Sequence, residues 1–166
     1  MICAIMQPTY FPWIGDFDMI DRVDSYIFYD DVQVVKRNWD VRNKIKSHNG
    51  ELYLTVPIKK TKSRDLTLFN NAIINDDEKW REKHLKSISF NYRKSVFYEE
   101  VFPFITKLIE AKYSILSEFN INIIQSISSK IGIETEFKCS SNIHGLEGKK
   151  DERLVNICKK IGANKY

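Results

Sequence analysis

The sequence predicts an α/β domain with a Rossmann-like, mainly parallel sheet of about five strands and helices on both faces. Three observations lead to this fold class. Residues 1–30 read as strand, loop, helix and strand, which is one βαβ unit. Residues 76–131 carry consecutive helical patterns and form a helical insertion. A further strand and helix follow that insertion.

The N-terminal part alternates apolar runs with turn signals. Residues 2–6 are apolar throughout, which is typical of a central parallel strand. Pro8 and Pro12 prevent a helix in the segment after this strand, so apolar residues at helical spacing begin only after Gly15. Asn49 and Gly50 form a turn dipeptide. Further strands are predicted from β-branched and aromatic runs at 25–29, 52–58 and 71–74.

The C-terminal part is mainly helical. Helices are predicted from about 76 to 92, 97 to 112 and 116 to 130, with Pro103 either starting or kinking the second of them. A strand at 135–139 and a helix closed by Gly162 come next. Because an α/β domain usually adds a strand after such a helix, we expect a single domain, 1–166, that is truncated at its C-terminus.

The composition limits the classes of function. The chain has 166 residues, a net charge of +4 and three widely spaced cysteines. Such a mild charge does not indicate a nucleic-acid-binding protein, and the cysteines predict neither a disulfide framework nor a zinc site. No signal peptide and no membrane span are visible, so a cytoplasmic location is expected. The residues suggest a small-molecule ligand, with a nucleotide-linked compound as one candidate, and identify no cofactor, metal site or oligomeric state.

The loop at 7–15 is the first candidate binding element. It follows the first predicted strand, and it offers the amide of Gln7, the phenol of Tyr10 and the indole of Trp13. Ligands of α/β proteins commonly bind where such strands end. The alternative is that the aromatic side chains close the end of the sheet and the prolines stiffen the loop. The loop is neither a GxGxxG fingerprint nor a P-loop.

Polar residues follow the second predicted strand. Asp30 and Asp31 are candidate catalytic residues that could coordinate Mg²⁺ or act as a general base, and Gln33 could bind a ligand. The alternative is that the aspartates merely end the strand. The next basic segment could clamp a phosphate or carboxylate while an aromatic ring stacks on the ligand, or it could be a solvated loop. Its candidate residues are Lys36, Arg37, Trp39, Arg42, Asn43 and Lys44.

The remaining candidates lie in the second half of the chain. His84 is a possible catalytic base, although its position on an apolar helix face also fits a partly buried structural histidine. Ser140 and Ser141 follow a predicted strand and are candidate ligand-binding residues. If that strand lies beside the first, these serines and the loop at 7–15 would face the same crevice.

Taken together, these segments resemble the WbqC-like proteins. The resemblance is carried by MQPTYFPWIG at 6–15, YDDVQ at 29–33, RN at 42–43, LTVP at 54–57, Trp80 with His84, YRK at 92–94, Ser140 with Ser141, RL at 153–154 and KKIG at 159–162. The resemblance implies a role in bacterial O-antigen or capsule synthesis. Members of the family usually continue beyond the position of Tyr166.

Two hypotheses for function follow. The first is a transferase that acts on an activated sugar or on an acyl or aminoacyl donor in surface-polysaccharide biosynthesis. The second is a non-catalytic ligand-binding or scaffold protein of the same pathway, which the lack of a recognised nucleophile or metal motif favours. Nucleic-acid binding through the basic residues at 36–44 and 59–64 is a weaker third hypothesis.

Overall fold

The computed structural model describes residues 1–35, 38–60 and 67–166. Within these ranges the strands are β1 (Cys3–Met6), β2 (Ser25–Phe28), β3 (Arg42–Ser47), β4 (Gly50–Thr55) and β5 (Glu136–Cys139). The α-helices are α1 (Ile14–Asp21), α2 (Trp80–Tyr92), α3 (Tyr98–Glu110), α4 (Leu116–Lys130) and α5 (Asp151–Ile161). The fold is therefore mixed α/β, and the predicted helices are confirmed to within a few residues at their ends.

A small parallel sheet organises the molecule. Its strand order is β1-β2-β5, and both pairs are parallel. The predicted β1–α1–β2 unit is therefore confirmed. The expectation of about five parallel strands is not met among the described residues, which form three. The central strand is β2, not β1 as expected, and all four of its residues are buried.

The other two strands form a separate antiparallel hairpin. β3 pairs with β4 from Arg42 opposite Thr55 to Ser47 opposite Gly50. His48 and Asn49 form the turn between them, one residue before the predicted Asn49-Gly50 turn. Gly50 has a φ of 105°, a conformation that L-residues rarely adopt. From its sequence, the region of β3 was expected to be a polar segment, and β4 was expected in the parallel sheet. The polar side chains of β3 did not give the apolar pattern expected of a buried strand, because a two-stranded hairpin leaves part of its surface in water.

Helices cover both faces of the parallel sheet, as predicted. Alternate residues of β1 and β2 point to opposite faces. On one face, Ala4, Tyr26 and Phe28 pack with α1 and α4. On the other face, Cys3, Ile5 and Ile27 pack with α5 through Ile157. Successive side chains of these strands point to opposite faces of the sheet, but they are apolar on both faces because helices pack against both.

A third apolar cluster lies among the helices that follow the hairpin. It joins Trp80 of α2, Leu108 and Ile109 of α3 and Phe119 of α4 to residues of the hairpin region. Pro103 lies inside α3, which begins at Tyr98. Only single bridges, Ile58 with Ile74 and Ile73 with Ile115, occur where a strand at 71–74 was predicted.

The last residues return to the edge of the parallel sheet. α5 ends at Gly162, whose φ of 74° is left-handed. Beyond it, the Cys3 N–H donates to the carbonyl of Lys165 at 2.9 Å, and Ile2 and Lys165 form a parallel bridge. The chain thus runs beside the free edge of β1 where it reaches Lys165.

Candidate functional site

The carboxyl ends of β2 and β5 lie next to each other, because Phe28 is paired with Cys139. This register brings Asp30 to the two serines that follow β5. Ser141 donates to Asp30 from its backbone N–H, at 3.0 Å, and from its hydroxyl, at 2.6 Å. The Ser140 hydroxyl lies 3.1 Å from the same carboxylate and accepts the Asp30 N–H at 3.2 Å. Asp30 is buried, and its carboxylate is largely occupied by these donors.

Asp31 extends this cluster toward α5. One carboxylate oxygen lies 2.5 Å from the Ser140 hydroxyl, and the other forms an ion pair with the guanidinium of Arg153. Because Ser140 has a single hydroxyl proton, Asp30 and Asp31 share it as acceptors. Arg153 also donates to the Leu146 carbonyl at 3.3 Å. The cluster therefore combines two carboxylates, two hydroxyls and a guanidinium at the carboxyl edge of the sheet.

Arg153 was not among the binding residues chosen from the sequence, although it belongs to the resembling RL segment. Arg153 and Asp31 are separated by 122 positions in the sequence, so no local sequence pattern predicts their contact. Its effect extends to Tyr29, where burial raises the pKa of the phenol and the nearby guanidinium opposes the rise. We name the group formed by Asp30, Asp31, Ser140, Ser141 and Arg153 the carboxyl-edge cluster.

Gln7 and Gln33 border the carboxyl edge without entering the hydrogen bonds of the cluster described above. Gln7 follows β1 and is half-buried. Gln33 is exposed, and its backbone forms an antiparallel bridge with Leu68. Their side chains remain candidate ligand-binding groups.

Tyr10 and His84 are brought together inside the third apolar cluster. The Tyr10 side chain is 1% exposed and His84 is 5% exposed. The phenol lies 3.0 Å from His84 Nδ1, and a histidine N–H donates to the Thr55 backbone carbonyl. Burial lowers the pKa of His84 to about 4 and raises that of Tyr10. His84 is therefore neutral at pH 7 and lies away from the carboxyl-edge cluster, which fits its structural interpretation.

The loop at 7–15 is held by backbone and amide hydrogen bonds. The Asn120 amide donates to the carbonyls of Pro8, at 2.7 Å, and Asp40, at 2.9 Å. The Tyr10 N–H donates to the Trp39 carbonyl at 3.0 Å, and the Asn43 amide donates to the Phe11 carbonyl. Asn43 therefore anchors the loop instead of standing free as a ligand clamp.

Asn120 was missed in the sequence analysis. It is fully buried on the apolar face of α4, between Phe119 and Ile123. A polar residue in the middle of such a face was the available signal, because buried amides need partners. Phe11, at the other end of this contact system, has a positive φ of 46°, which is uncommon for a residue other than glycine.

An apolar cavity of about 590 Å³ opens beside this loop. It lies between the loop, β3, the end of α2 and the start of α3. Trp13, which is 73% exposed, stands at its rim. Tyr10 and Asn43 contribute to its floor. Lys44 and Ser95 also line the cavity. Its remaining lining residues are aromatic, aliphatic or proline: Phe11, Pro12, Ile14, Ile45, Leu54, Ile88, Tyr92, Val96, Phe97, Tyr98, Val101, Phe102 and Ile105.

Arg42 and Asn43 point to opposite faces of β3, so the predicted clamp is divided. On the outer face, the Arg42 guanidinium lies 4.5 Å from the centre of the Tyr53 ring. Lys44 pairs with Glu51 at 2.6 Å and lies 5.8 Å from the exposed Trp39 ring. This face could bind an anion or a flat ring. Lys36, Arg37 and the part of the predicted basic loop at 61–64 lie outside the described residues.

In the described ranges, no three His, Cys, Asp or Glu side chains are grouped in a way that could hold a metal ion. Among the helices of those ranges, none has the length and apolar character needed to cross a membrane.

Comparisons with known proteins give one family. The sequence model of the WbqC-like protein family matches residues 7–166. The chain is also 35% identical over 164 residues to the Mycobacterium tuberculosis protein described as "Uncharacterized protein Rv1507c", which covers 98% of this chain and 70% of that protein. No solved structure matches the chain.

Proposed function

The chain belongs to the WbqC-like family, and from that premise we propose that it is a transferase of bacterial surface-polysaccharide biosynthesis. Its donor is an activated sugar or an activated acyl or aminoacyl group. The observation that supports this proposal is the carboxyl-edge cluster. In α/β proteins, ligands bind outside the carboxyl ends of the strands, and here acid, hydroxyl and guanidinium groups converge at that place.

The cluster contains groups suited to the transfer of an activated group. Such a donor already carries its leaving group, so the enzyme needs no nucleophile of its own. It must orient the acceptor and remove a proton from the attacking amine or hydroxyl. Asp31 is our candidate for the proton acceptor, because it is less occupied by hydrogen bonds than Asp30. Arg153 can bind an anionic part of the donor or acceptor.

Asp30 has a different role in this proposal. Its carboxylate accepts the Ser141 N–H and hydroxyl and contacts Ser140. It therefore positions the segment after β5, and Ser140 in turn contacts Asp31. His84 is excluded from the proposed mechanism, because it is buried in another part of the molecule.

A turnover assay tests the proposal. The protein is incubated with nucleotide sugars, acyl thioesters and aminoacyl donors, each with amino-sugar and hydroxyl acceptors, and products are measured by mass spectrometry. Asp31→Asn should lower kcat by about 100-fold or more, as expected for loss of an acid–base group. Asp21→Asn, on the exposed surface of α1, is the matched control.

The second candidate function is non-catalytic ligand binding in the same pathway. The observation that favours it is the neutral, buried state of His84, the histidine first considered as a base. Donor binding in a calorimeter without turnover, together with full complementation of the pathway in cells by Asp31→Asn, would overturn the transferase and support this alternative.

A further inference from the structure

The apolar cavity does not stand alone. A second depression of about 530 Å³ shares Tyr92 and Ser95 with it. The two cavities therefore meet at the end of α2. The second cavity has a basic lining, to which Lys46, Arg93 and Lys94 contribute their cationic side chains and His48 an imidazole. One continuous surface thus passes from an apolar region to a basic one.

Within the described part of the chain, the basic residues of the second cavity have no acidic partner. Lys46 is exposed, and its backbone N–H donates to the Tyr92 hydroxyl at 3.0 Å, directly at the junction. Arg93 lies 6.0 Å from the centre of the Phe90 ring. Among the described residues, none of Lys46, Arg93 and Lys94 takes part in an ion pair with an acidic side chain. No acidic side chain of residues 1–35, 38–60 and 67–166 lines this cavity, so its described lining is electrostatically complementary to an anion.

The residues around the apolar cavity are also exposed to solvent. Val96 is 90% exposed and Phe97 is 69% exposed in the turn between α2 and α3, and Trp13 faces the opposite rim. Contiguous exposed apolar residues around a cavity mark a binding site more often than a solvated surface. A nucleotide sugar alone would find few polar partners in this part.

We propose that the two cavities form one binding site for an amphipathic anion, in which an acyl or aryl group is joined to a phosphate-bearing head. The apolar group occupies the cavity between Trp13, Val96 and Phe97, and the head lies over Lys46, Arg93 and Lys94. The ligand is a single dispersed molecule, not a lipid bilayer. The inference rests on the proposed function only in identifying this ligand as the acyl donor.

The test is a titration calorimetry series on the complete chain. The probes are decanoyl-coenzyme A and acetyl-coenzyme A, below their micelle concentrations, and free coenzyme A. Affinity should rise about tenfold or more from free coenzyme A to the decanoyl thioester, because burial of each methylene group favours binding. Affinity for free coenzyme A should fall as salt is raised.

Variants separate the two parts of the site. Replacing Val96 and Phe97 together by Ser should remove most of the dependence on chain length and leave the affinity for free coenzyme A unchanged. Arg93→Gln with Lys94→Gln should weaken all three probes by a similar factor. Lys83→Gln, on the exposed side of α2, should change none of them. All of these positions are exposed, and thermal melts confirm that the variants are folded.

Several results would overturn the inference. These are equal affinity for decanoyl- and free coenzyme A, no effect of the Val96 and Phe97 changes, or binding to anionic phospholipid vesicles without binding to the dispersed thioester. The outcome is separable from the proposed function. Binding of the thioester without any transfer would support this binding site and contradict the proposed transferase function. Sugar transfer without thioester binding would support the transferase function and contradict this site.

Discussion

At the level of single residues, burial decides what His84 does. The imidazole is enclosed with Tyr10 and Trp80, and it is hydrogen-bonded to the phenol and to the backbone of Thr55. An N–H that donates to Thr55 leaves Nδ1 free to accept the phenol proton. The pair therefore joins the loop at 7–15 to α2 as two neutral groups, and protonation of the imidazole would break this arrangement.

His84 should make stability depend on pH. Its pKa is lowered from 6.5 to about 4 in the folded protein, mainly by burial. Below pH 6.5 the unfolded chain takes up a proton that the folded chain does not, so stability is complete above pH 6.5 and is lost as the pH falls toward 4. We expect a loss of about 3 kcal/mol from this group.

Urea denaturation of the wild type and of His84→Asn between pH 4 and 7.5 measures this effect. The asparagine amide keeps a hydrogen-bonding group near Tyr10 but does not titrate in this range. The stability difference between the two proteins should shrink as the pH falls. A difference that stays constant over the whole range would show that His84 does not titrate as its burial indicates.

At the level of elements, the N-terminus of α1 depends on the fit of Trp13 to Gly15. A Cβ atom added to Gly15 would lie 2.1 Å from the indole ring. Gly15 has an ordinary backbone conformation, so helix propensity alone would favour alanine by about 0.5–1 kcal/mol. The ring must therefore move when alanine is present.

The two substitutions should consequently be non-additive. In a Trp13→Ala background, Gly15→Ala should stabilise the protein by about 0.5–1 kcal/mol. In the wild-type background, the displaced ring should cancel that gain. Chemical denaturation of the four proteins measures the coupling. Equal effects of Gly15→Ala in both backgrounds would show that the indole does not rest on the glycine.

Asn120 is the second element-level contact, since it ties α4 to the loop at 7–15 and to Asp40. Asn120→Ala should leave the Pro8 and Asp40 carbonyls without their donor, at a cost of about 3 kcal/mol. Gln125→Ala, exposed on the same helix, should change stability little. Hydrogen exchange should also quicken at the Tyr10 amide in the Asn120 variant. An effect no larger than that of Gln125→Ala would contradict this role.

At the level of the whole molecule, Asp31 and Arg153 connect the end of β2 to the last helix. Both side chains are mostly buried, with 16% and 20% exposed. A partly buried, charge-assisted hydrogen bond of this kind is stronger than a surface ion pair. The contact joins the end of β2 to α5, which are separated by a long section of the chain.

A double-mutant cycle measures this connection. With Asp31→Asn and Arg153→Gln, we expect a coupling free energy of about 1–3 kcal/mol. The same cycle on Asp18 and Arg22, an exposed i,i+4 pair on α1, serves as the control and should give a much smaller coupling. Additive effects at Asp31 and Arg153 would show that the ion pair does not link the sheet to α5.

The helices and most of the strands, in their order along the chain, could be read from the sequence, whereas β3 could not. Helical spacing, the strand–loop–helix–strand start and the Asn49-Gly50 turn are local properties, so they can be read from neighbouring residues. The segments that resemble WbqC-like proteins were also readable directly, and the family is confirmed. The candidate residues Asp30, Asp31, Ser140 and Ser141 were chosen from their places after strands.

The pairing of these elements is visible only in the three-dimensional structure. β2 is the central strand, and β4 pairs with β3 instead of lying in the parallel sheet. Asp31 met Arg153, Asn120 met the loop at 7–15, and Tyr10 met His84. Each contact joins residues far apart in sequence, and its formation depends on the competition between alternative pairings and packings of the whole chain. No local pattern records the result of that competition, so the partners could not be predicted from their neighbours.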